Sequence, residues 1–372
     1  MKTIQHSLII ILLLWTFSLQ AQNDTTSKFT PVQITFLYPI GSNGSQSVKY
    51  GNHFSLNILY GINKSVDGLE LGGIGNFLNS DMTGIQIAGI TNITEGVVTG
   101  VQLAGIHNHT NENVIGAQVG GITNISMKGF YGLQIAGINN ISYHNSTGLQ
   151  ISGIHNWSHG NTSGAQISGV YNQTDQNFHG LQLALVNSAK KITGAQIGLI
   201  NVADSSNGVS IGLINIIKNG YHCLEVSGNE VLPLSMTLKS GTTTFYNIYT
   251  AGIQINTPHI FGFGLGFGSS IPLGSQLSVS MDLTANYINE LKKFDWKLNI
   301  LNRLDLTMNY DFSDHFTILA GPAFNVHVSE LGYESTGGFT TDIAKNPFYT
   351  EKVNQTQVQM WVGAKFGARF NF

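Results

Sequence analysis

The sequence predicts an all-β protein in which a β-solenoid-like repeat region is flanked by antiparallel strands of the outer-membrane barrel type. Two observations carry this prediction. Glycines recur every 16 residues through the middle of the chain, and polar and apolar residues alternate along its last 16 residues. A fixed period indicates stacked structural repeats. A long two-residue alternation indicates a strand whose two faces meet different surroundings.

The repeat has a longer and a shorter form. Each copy begins with a glycine, first at intervals of 16 residues and then, after Gly180, at intervals of 14. The glycines are Gly68, Gly84, Gly100, Gly116, Gly132, Gly148, Gly164, Gly180, Gly194 and Gly208. With this glycine as position zero, positions one and three are almost always Ile, Leu, Val or Ala, which predicts a strand in each copy.

Two polar positions recur in the copies. Position two is glutamine in eight copies, with Glu70 and Ser210 at the two ends. Position eight of the longer form is asparagine, which moves to position seven in the shorter form. Equivalent positions of stacked coils lie about 4.8 Å apart, so these amides are predicted to form structural ladders. The ladder residues are Gln86, Gln102, Gln118, Gln134, Gln150, Gln166, Gln182, Gln196, Asn92, Asn108, Asn124, Asn140, Asn156 and Asn172.

Two arrangements use such a unit, a solenoid of parallel coils or one large antiparallel β-barrel that includes the repeats. In an antiparallel barrel, alternate connections lie on opposite sides of the membrane and differ in length. The connectors after the repeat asparagines are uniformly seven residues long in the longer copies. This uniformity favours the solenoid, while the total length also suits the large barrel, so both arrangements stay open.

The flanks show the membrane-barrel pattern. Val358, Val362 and Phe366 belong to one apolar face of the last strand, and Lys365 and Arg369 belong to its polar face. An alternation of this length suits a tilted strand that crosses an outer membrane. The segments Val32 to Tyr38 and Phe54 to Tyr60 are predicted to be strands of the same type. We therefore divide the chain into N-terminal strands at 22–64, a repeat region at 65–221 and a C-terminal barrel-like region at 222–372.

The beginning of the chain predicts export. Lys2 precedes an apolar run from Leu8 to Trp15, and small residues follow up to Ala21. This order is typical of a secretory signal peptide, which we assign to residues 1–21. The single cysteine, Cys223, excludes an internal disulfide. The formal net charge is -3, and the repeats contain no arginine. Since nucleic-acid binding needs a basic surface, we expect no nucleic-acid partner.

No motif predicts a reaction, a metal site or a cofactor. His107 and His155 share position seven but lie three copies apart, about 14 Å in a stack and too far for one ion. Gly262 to Gly268 superficially resembles a phosphate-binding loop, but its glycines alternate with apolar residues, as in a barrel strand. The sequence has no arrangement typical of a nucleophilic triad or of paired catalytic carboxylates. We therefore expect a protein that is not an enzyme.

The repeat phrases resemble a family of bacterial surface repeat proteins found in Bacteroidetes and spirochaetes. Its copies have the form Gly-x-Gln-φ-x-Gly-φ-x-Asn, as in Gly100 to Asn108, or the shorter form seen in Gly194 to Asn201. The resemblance covers most of the chain beyond the signal peptide. It implies an exported protein at the outer membrane or cell surface of a Gram-negative-type bacterium, and it carries no catalytic or binding residues over to this chain.

Two functional hypotheses follow. In the first, the barrel region is held by outer-membrane lipid, and the repeats are structural or display a surface for an unknown ligand, either glycan or protein. In the second, repeats and flanks close into one pore for small solutes whose lumen is lined by the Gln and Asn columns. The direction of neighbouring copies distinguishes the two hypotheses, because a solenoid requires parallel copies and a barrel wall requires antiparallel ones.

Overall fold

The computed structural model describes residues 28–257, 260–290, 297–330, 343–344, 346–354 and 356–372. The predicted signal peptide at 1–21 lies outside these residues. The described chain is mostly strand and forms two sheets, a parallel β-solenoid followed by a closed antiparallel barrel. The predicted fold class is therefore confirmed, and the alternative of one large barrel is wrong.

The solenoid contains the first 21 strands and one 3-10 helix at Gly44–Lys49. In most coils a strand of seven residues is followed by a strand of four, so the coils stack into a long sheet and a short sheet. The strands are β1 (Lys28–Leu37), β2 (Ile40–Gly41), β3 (Tyr50–Asn63), β4 (Ser65–Gly72), β5 (Gly75–Leu78), β6 (Met82–Ala88), β7 (Thr91–Thr94), β8 (Val98–Ala104), β9 (His107–Thr110), β10 (Val114–Gly120), β11 (Thr123–Ser126), β12 (Phe130–Ala136), β13 (Asn139–Ser142), β14 (Ser146–Ser152), β15 (His155–Ser158), β16 (Thr162–Ser168), β17 (Tyr171–Leu183), β18 (Val186–Ile197), β19 (Ile200–Ser206), β20 (Val209–Ile211) and β21 (Ile214–Ile217).

The copies pair in parallel and in register. Gln102 lies beside Gln118, and Asn108 lies beside Asn124, and the pairings among β3 to β21 are all parallel. The uniform connectors explain this arrangement, because each returns the chain to the same side of the stack before the next copy begins. Parallel pairing is the reason why the repeats cannot be the wall of an antiparallel barrel.

Strands β1 and β3 correct one prediction. Val32 pairs in parallel with Phe54, and Phe54 pairs in parallel with Leu69 of the first repeat copy. The segments that we predicted to be barrel-type strands are therefore the first coils of the solenoid. Their alternation of polar and apolar residues suits either setting, since alternation describes the two faces of a strand and not the direction of its neighbour.

The barrel contains the remaining nine strands. Eight of them close a ring, because β22 pairs with β23 on one side and with the C-terminal strand on the other, where Cys223 lies beside Asn371. The ninth, β29, pairs with the beginning of the last strand. The strands are β22 (Tyr221–Asn229), β23 (Leu234–Gly241), β24 (Tyr246–Ile253), β25 (Phe261–Pro272), β26 (Leu277–Asn289), β27 (Asn299–Asp311), β28 (Phe316–Ser329), β29 (Tyr349–Val353) and β30 (Thr356–Asn371).

The barrel wall has its polar side inside. Along β30, Lys365 and Arg369 are buried in the lumen, whereas Val362 and Phe366 are 66% and 65% exposed on the outside. The other strands alternate in the same sense, with apolar side chains outward. A protein folded in water arranges its core in the opposite way. This barrel therefore presents an apolar exterior around a polar interior.

The barrel closes the end of the solenoid. Asn215 in β21 donates from Nδ2 to Oδ1 of Asn247 in β24. Asn247 in turn donates to the carbonyl oxygen of Gly212 at 2.6 Å, and Ser240 donates to the carbonyl oxygen of Asn215 at 2.9 Å. The last coil thus finds its hydrogen-bond partners on the barrel wall, and the two parts form one continuous structure.

The repeat glycines are required by their backbone conformation. Gly132 has φ +137°, and a Cβ atom at this position would lie 2.0 Å from the carbonyl oxygen of Gly116 in the preceding coil. The equivalent glycines from Gly68 to Gly194 also have positive φ. L-residues rarely adopt this conformation, so the 16-residue glycine period is a steric consequence of close stacking.

We predict that Gly132→Ala destabilises the solenoid by at least the strain of an unfavourable φ, about 1–3 kcal/mol. Thermal unfolding of the purified full chain in detergent, followed by circular dichroism, measures the change. Gly274→Ala is the control, because a Cβ atom there meets nothing within 4 Å. Equal melting curves for the two variants would contradict the steric argument.

Candidate functional site

The predicted glutamines form one buried ladder along the inside of the long sheet. The Nε2 of each glutamine donates to Oε1 of the glutamine in the preceding coil, at distances of 2.7 to 2.9 Å. Every donor therefore points toward the N-terminus of the chain. The structure places in this ladder Gln86, Gln102, Gln118, Gln134, Gln150, Gln166, Gln182 and Gln196, all of them buried.

The predicted asparagines form a second ladder that runs in the opposite direction. Their Nδ2 groups donate to Oδ1 of the asparagine in the following coil, at 2.8 to 3.1 Å. The same nitrogen also donates to a backbone carbonyl of that coil, as Asn124 does to Ile135 at 2.7 Å. The structure places in this ladder Asn92, Asn108, Asn124, Asn140, Asn156 and Asn172, together with Asn76, Asn187, Asn201 and Asn215.

A carboxylate receives the N-terminal end of the glutamine ladder. Gln86 donates to Glu70 at 2.9 Å, and Asn57 and Asn63 donate to its other oxygen at 3.0 and 2.7 Å. The carboxyl oxygens of Glu70 accept these hydrogen bonds, so the group suits the end toward which all the donors point. Burial is the largest influence on this group and raises the pKa of the Glu70 carboxyl.

Sequence reasoning missed three residues at the ends of the ladders. Asn57 donates to both Glu70 and Asn76, and so joins the two ladders at their N-terminal end. Asn63 lies in the same coil and also donates to Glu70. Asn247 of the barrel accepts a hydrogen bond from Asn215, the last asparagine of the ladder. None of the three lies in a glycine phrase. The spacing of 19 residues from Asn57 to Asn76, close to the period, was the available signal for the first of them.

The ladders have a structural role and offer no open binding site. Their side chains are buried, and each amide of the interior coils is bonded to both neighbouring coils. A buried amide that lacks a partner is costly, so each coil depends on the coils on either side. The ladder residues therefore hold the stack together and leave ligand contacts to the outer surfaces.

The barrel lumen contains a balanced network of buried charge. Glu225 forms three ion pairs, with Lys239 at 3.0 Å, Lys365 at 2.7 Å and Arg369 at 3.1 Å. Asp282 also binds Lys239. The lumen charges are Glu225, Glu230, Asp282 and Asp305 on one side and Lys239, Arg303, Lys365 and Arg369 on the other. Four positive and four negative groups leave the network with no formal net charge.

A second group of lumen contacts is built around Arg303. Its Nη1 donates to Glu230 at 2.8 Å, its Nε donates to Asp305 at 2.6 Å, and its Nη2 donates to the carbonyl oxygen of Ala364 at 3.0 Å. The cavity beside Arg303, Asp305 and Lys365 has a volume of about 30 Å³. This is room for about two water molecules. The lumen is thus filled by its own side chains, as expected for a barrel of eight strands.

The sequence revealed only part of the lumen network. Lys365 and Arg369 lie on the polar side of the predicted alternation, so their inward direction was visible. Their partner Glu225 lies 144 residues before Arg369 in the chain. Pairing across such a distance depends on closure of the barrel, and no local pattern indicates it.

An aromatic surface lies on the outside of the short sheet and its connectors. We call it the ring surface and define it as Tyr143, His155, Trp157, His159 and Tyr171. His155 stacks on Tyr171 with ring centroids 5.1 Å apart, Tyr143 stacks on His159 at 4.8 Å, and Trp157 and His159 are 4.1 Å apart. These side chains are exposed or half-buried. The ring surface is the largest cluster of aromatic side chains on the outside of the solenoid repeats.

A carboxylate organises one edge of the ring surface. Asp175 accepts a hydrogen bond from Trp157 Nε1 at 3.2 Å and pairs with His159 Nδ1 at 2.8 Å. Burial lowers the pKa of His155, which keeps that ring neutral near pH 7. Trp157 and His159 are therefore held in fixed positions by a shared acceptor. Such a surface combines rigid apolar rings with polar groups, as protein and carbohydrate recognition sites require.

The histidines do not come together as a metal site in the described part of the chain. His107 and His155 occupy the same outward column with two coils between them. Over residues 28–257 and the described segments that follow, no three His, Cys, Asp or Glu side chains are placed to hold one ion. Among those same residues, no helix is long and apolar enough to cross a membrane.

Comparison with known proteins gave no match to a protein-family model, to a curated protein or to a solved structure.

We predict that Asn140→Ala destabilises the solenoid, while Asn139→Ala does not. Asn140 accepts from Asn124 and donates to Asn156 and to the carbonyl oxygen of Ile151, so its removal leaves buried groups without partners. Each such group costs about 1–3 kcal/mol. The neighbouring Asn139 lies half-buried on the outer face and is the matched control.

Thermal unfolding of both variants in detergent measures this difference, and the mobility of unheated samples on a denaturing gel reports whether the barrel remains folded. A lower solenoid melting temperature with an unchanged barrel band is the expected result for Asn140→Ala. Equal melting of the Asn139→Ala and Asn140→Ala proteins would show that the ladder contributes nothing measurable.

We predict that Glu70 makes solenoid stability fall as the pH rises. Its pKa is raised in the folded state, so the folded chain holds a proton that the unfolded chain releases near its ordinary value of about 4.3. The free energy of unfolding then decreases from that pH upward through the raised folded pKa. Glu70→Gln removes this titration and should lose less stability between pH 4.5 and pH 8.

Melting temperatures across this pH range provide the measurement, with Glu112→Gln as the control because its side chain is 44% exposed and pairs loosely with Lys128. The control should show the same pH dependence as the unaltered chain. If Glu70→Gln also keeps that dependence, the buried carboxyl is not its source.

Proposed function

We propose that this protein is a non-enzymatic outer-membrane protein, exported through its signal peptide, in which the barrel is an anchor in lipid and the solenoid displays a binding surface at the cell surface. One observation carries the proposal. The barrel has charged and polar side chains in its lumen and apolar side chains on its exterior. This polarity suits a wall surrounded by hydrocarbon.

The exterior of the barrel supports the proposal that the barrel is surrounded by lipid. Its strands form a closed ring, so the eight strands of that ring have their backbone groups paired on both sides, as a membrane interior requires. The side chains that point outward are large and apolar. They include Leu224, Val226, Met236, Leu238, Phe263, Leu265, Phe267, Met281, Leu283, Leu306, Met308, Ile318, Phe324, Val362, Phe366 and Phe370, all of them exposed.

The solenoid supports a display role. Its interior is occupied by the two ladders and by buried apolar side chains such as Val98, Val114 and Phe130, which leaves only outer surfaces for recognition. The ring surface, with Trp157 and His159 fixed by Asp175, is the part of the solenoid best equipped to bind a glycan or a protein. Rigid aromatic side chains give large contact areas at low entropic cost. The partners that we propose are therefore outer-membrane lipid and a surface ligand of one of these two classes.

The pore hypothesis loses its premise in this structure. It required the repeats to be barrel wall, and the repeats are parallel coils instead. The barrel that does form has eight strands, and ion pairs of Glu225 and Arg303 fill its lumen. We therefore do not propose solute transport.

Location is tested by expressing the full chain in a Gram-negative host and separating the envelope fractions. We predict that Lys128→Cys, in a Cys223→Ser background, reacts on intact cells with a membrane-impermeant maleimide, because the connector that carries Lys128 lies at the solenoid surface. The unaltered chain is the control, since its Cys223 is buried in the barrel. Recovery of the protein in a soluble fraction would overturn the proposal.

Ligand display is tested with Trp157→Ala. We predict that this variant loses binding to immobilised glycans or matrix proteins that the unaltered chain retains, because Trp157 is the central ring of the surface. Ile141→Ala, which alters the same outward position one coil earlier, is the control. Binding that survives in the Trp157→Ala protein would place the ligand elsewhere.

A further inference from the structure

The solenoid has an apolar wall on the outside of its long sheet. At position three of the repeat, an unbroken column of Ile, Leu and Val runs from Ile34 through Ile87 and Ile135 to Ile211, one residue in each paired strand. Twelve strands at about 4.8 Å give the column a length of about 50 Å. A second apolar column, which includes Ile154, follows the tight turn beside it. We call these two columns the apolar wall.

Charge is confined to the opposite edge of the solenoid. From Gly84 to Gly208, the charged side chains lie between the repeat asparagine of one copy and the repeat glycine of the next. Glu95, Glu112 and Lys128 lie there on connectors, and Asp175 lies there within the continuous strand β17. From each repeat glycine through the tight turn to the repeat asparagine, these copies contain no charged residue. Each coil is therefore amphipathic in cross-section, with an apolar side at the wall and a charged side at the connectors. A surface of this size on a protein normally marks an interaction site.

The apolar wall is continuous with the exterior of the barrel. Leu185, Leu199 and Leu213 of the tight-turn column and Leu265 and Phe267 of the barrel line one groove of about 860 Å³. The exposed fraction is 54% for Leu199 and 50% for Phe267, so both sides of the groove are open. Whatever surrounds the barrel exterior at this groove also reaches the last coils of the wall.

We propose that the apolar wall contacts the acyl chains of the same membrane that holds the barrel, so that the solenoid lies along the membrane and does not project from it. This inference rests on the proposed membrane location of the barrel. Lipid is the occupant that the wall's continuity with the barrel exterior indicates. The connector edge and the ring surface, on the other sides of the coil, then face water and remain available for a ligand.

Spin labels on the full chain test this arrangement. The chain, with Cys223 replaced by Ser, is reconstituted in vesicles of phosphatidylcholine and phosphatidylglycerol and labelled at one position in each variant. Ile154→Cys reports the wall, Phe366→Cys reports the barrel exterior and Lys128→Cys reports the connector edge. Oxygen concentrates in the lipid interior, whereas a nickel chelate stays in water, so their relaxation effects identify the surroundings of each label.

The expected result is loss of nickel relaxation at both Ile154 and Phe366, with strong oxygen relaxation there, and the reverse at Lys128. Nickel access at Ile154 with lipid access at Phe366 overturns the inference and leaves the proposed function standing. Shielding of Ile154 from both reagents also overturns it, because a second protein copy would then cover the wall. Nickel access at Phe366 contradicts the proposed function itself.

A second wall position protects the test against a local disturbance. Ile122→Cys lies two coils away in the same tight-turn column and is 41% exposed. It should give the same relaxation pattern as Ile154→Cys, and circular dichroism of each labelled protein should match that of the unaltered chain. Opposite patterns at Ile122 and Ile154 would show that no continuous wall meets the lipid.

Discussion

The hydrogen bonding of buried amides is the constraint on which the rest of this structure depends. Each interior repeat coil places a glutamine and an asparagine inside, and the side-chain amides of both bond to the equivalent amides of the neighbouring coils. The next coil must therefore stand in register at the distance of one strand, which fixes both the period and the parallel direction. The two ladders run in opposite directions, and each ends on a dedicated partner, Glu70 in the first repeat copy and Asn247 on the barrel.

This polar interior determines the character of the outside. Successive side chains of a strand point to opposite faces. A strand whose amide side chains point into the solenoid therefore points its Ile, Leu and Val side chains outward. The barrel follows the same rule, with Glu225 and Lys239 inside and Phe366 outside. Both parts thus bury polar side chains and expose apolar ones, although the solenoid also buries apolar residues such as Val114 and Phe130 beside its ladders. An apolar exterior is common to both parts, which is why we treat the solenoid wall and the barrel exterior as one apolar surface.

Periodicity made the candidate site predictable in its regular part. Every ladder residue that occupies the same position of the glycine phrase was visible, because stacking converts a sequence period into a spatial column. The ends were not predictable in this way. Asn57 lies in a coil without the phrase, and Asn247 lies on a barrel strand. The ring surface was missed for a related reason, since Tyr143 and Trp157 belong to different coils and become neighbours of the same histidine only after stacking.

By itself, the sequence determined that the chain is built of strands, which residues share a face and where the repeats begin and end. These properties are local, since they follow from the two-residue alternation and from the steric need for glycine at positions such as Gly132. The tertiary structure decided the direction of each strand's neighbours, placed Val32 and Phe54 in the solenoid, and brought Arg369 to Glu225 across the closed barrel. Alternation is the same in parallel and antiparallel sheets, so only the completed pairing distinguishes them.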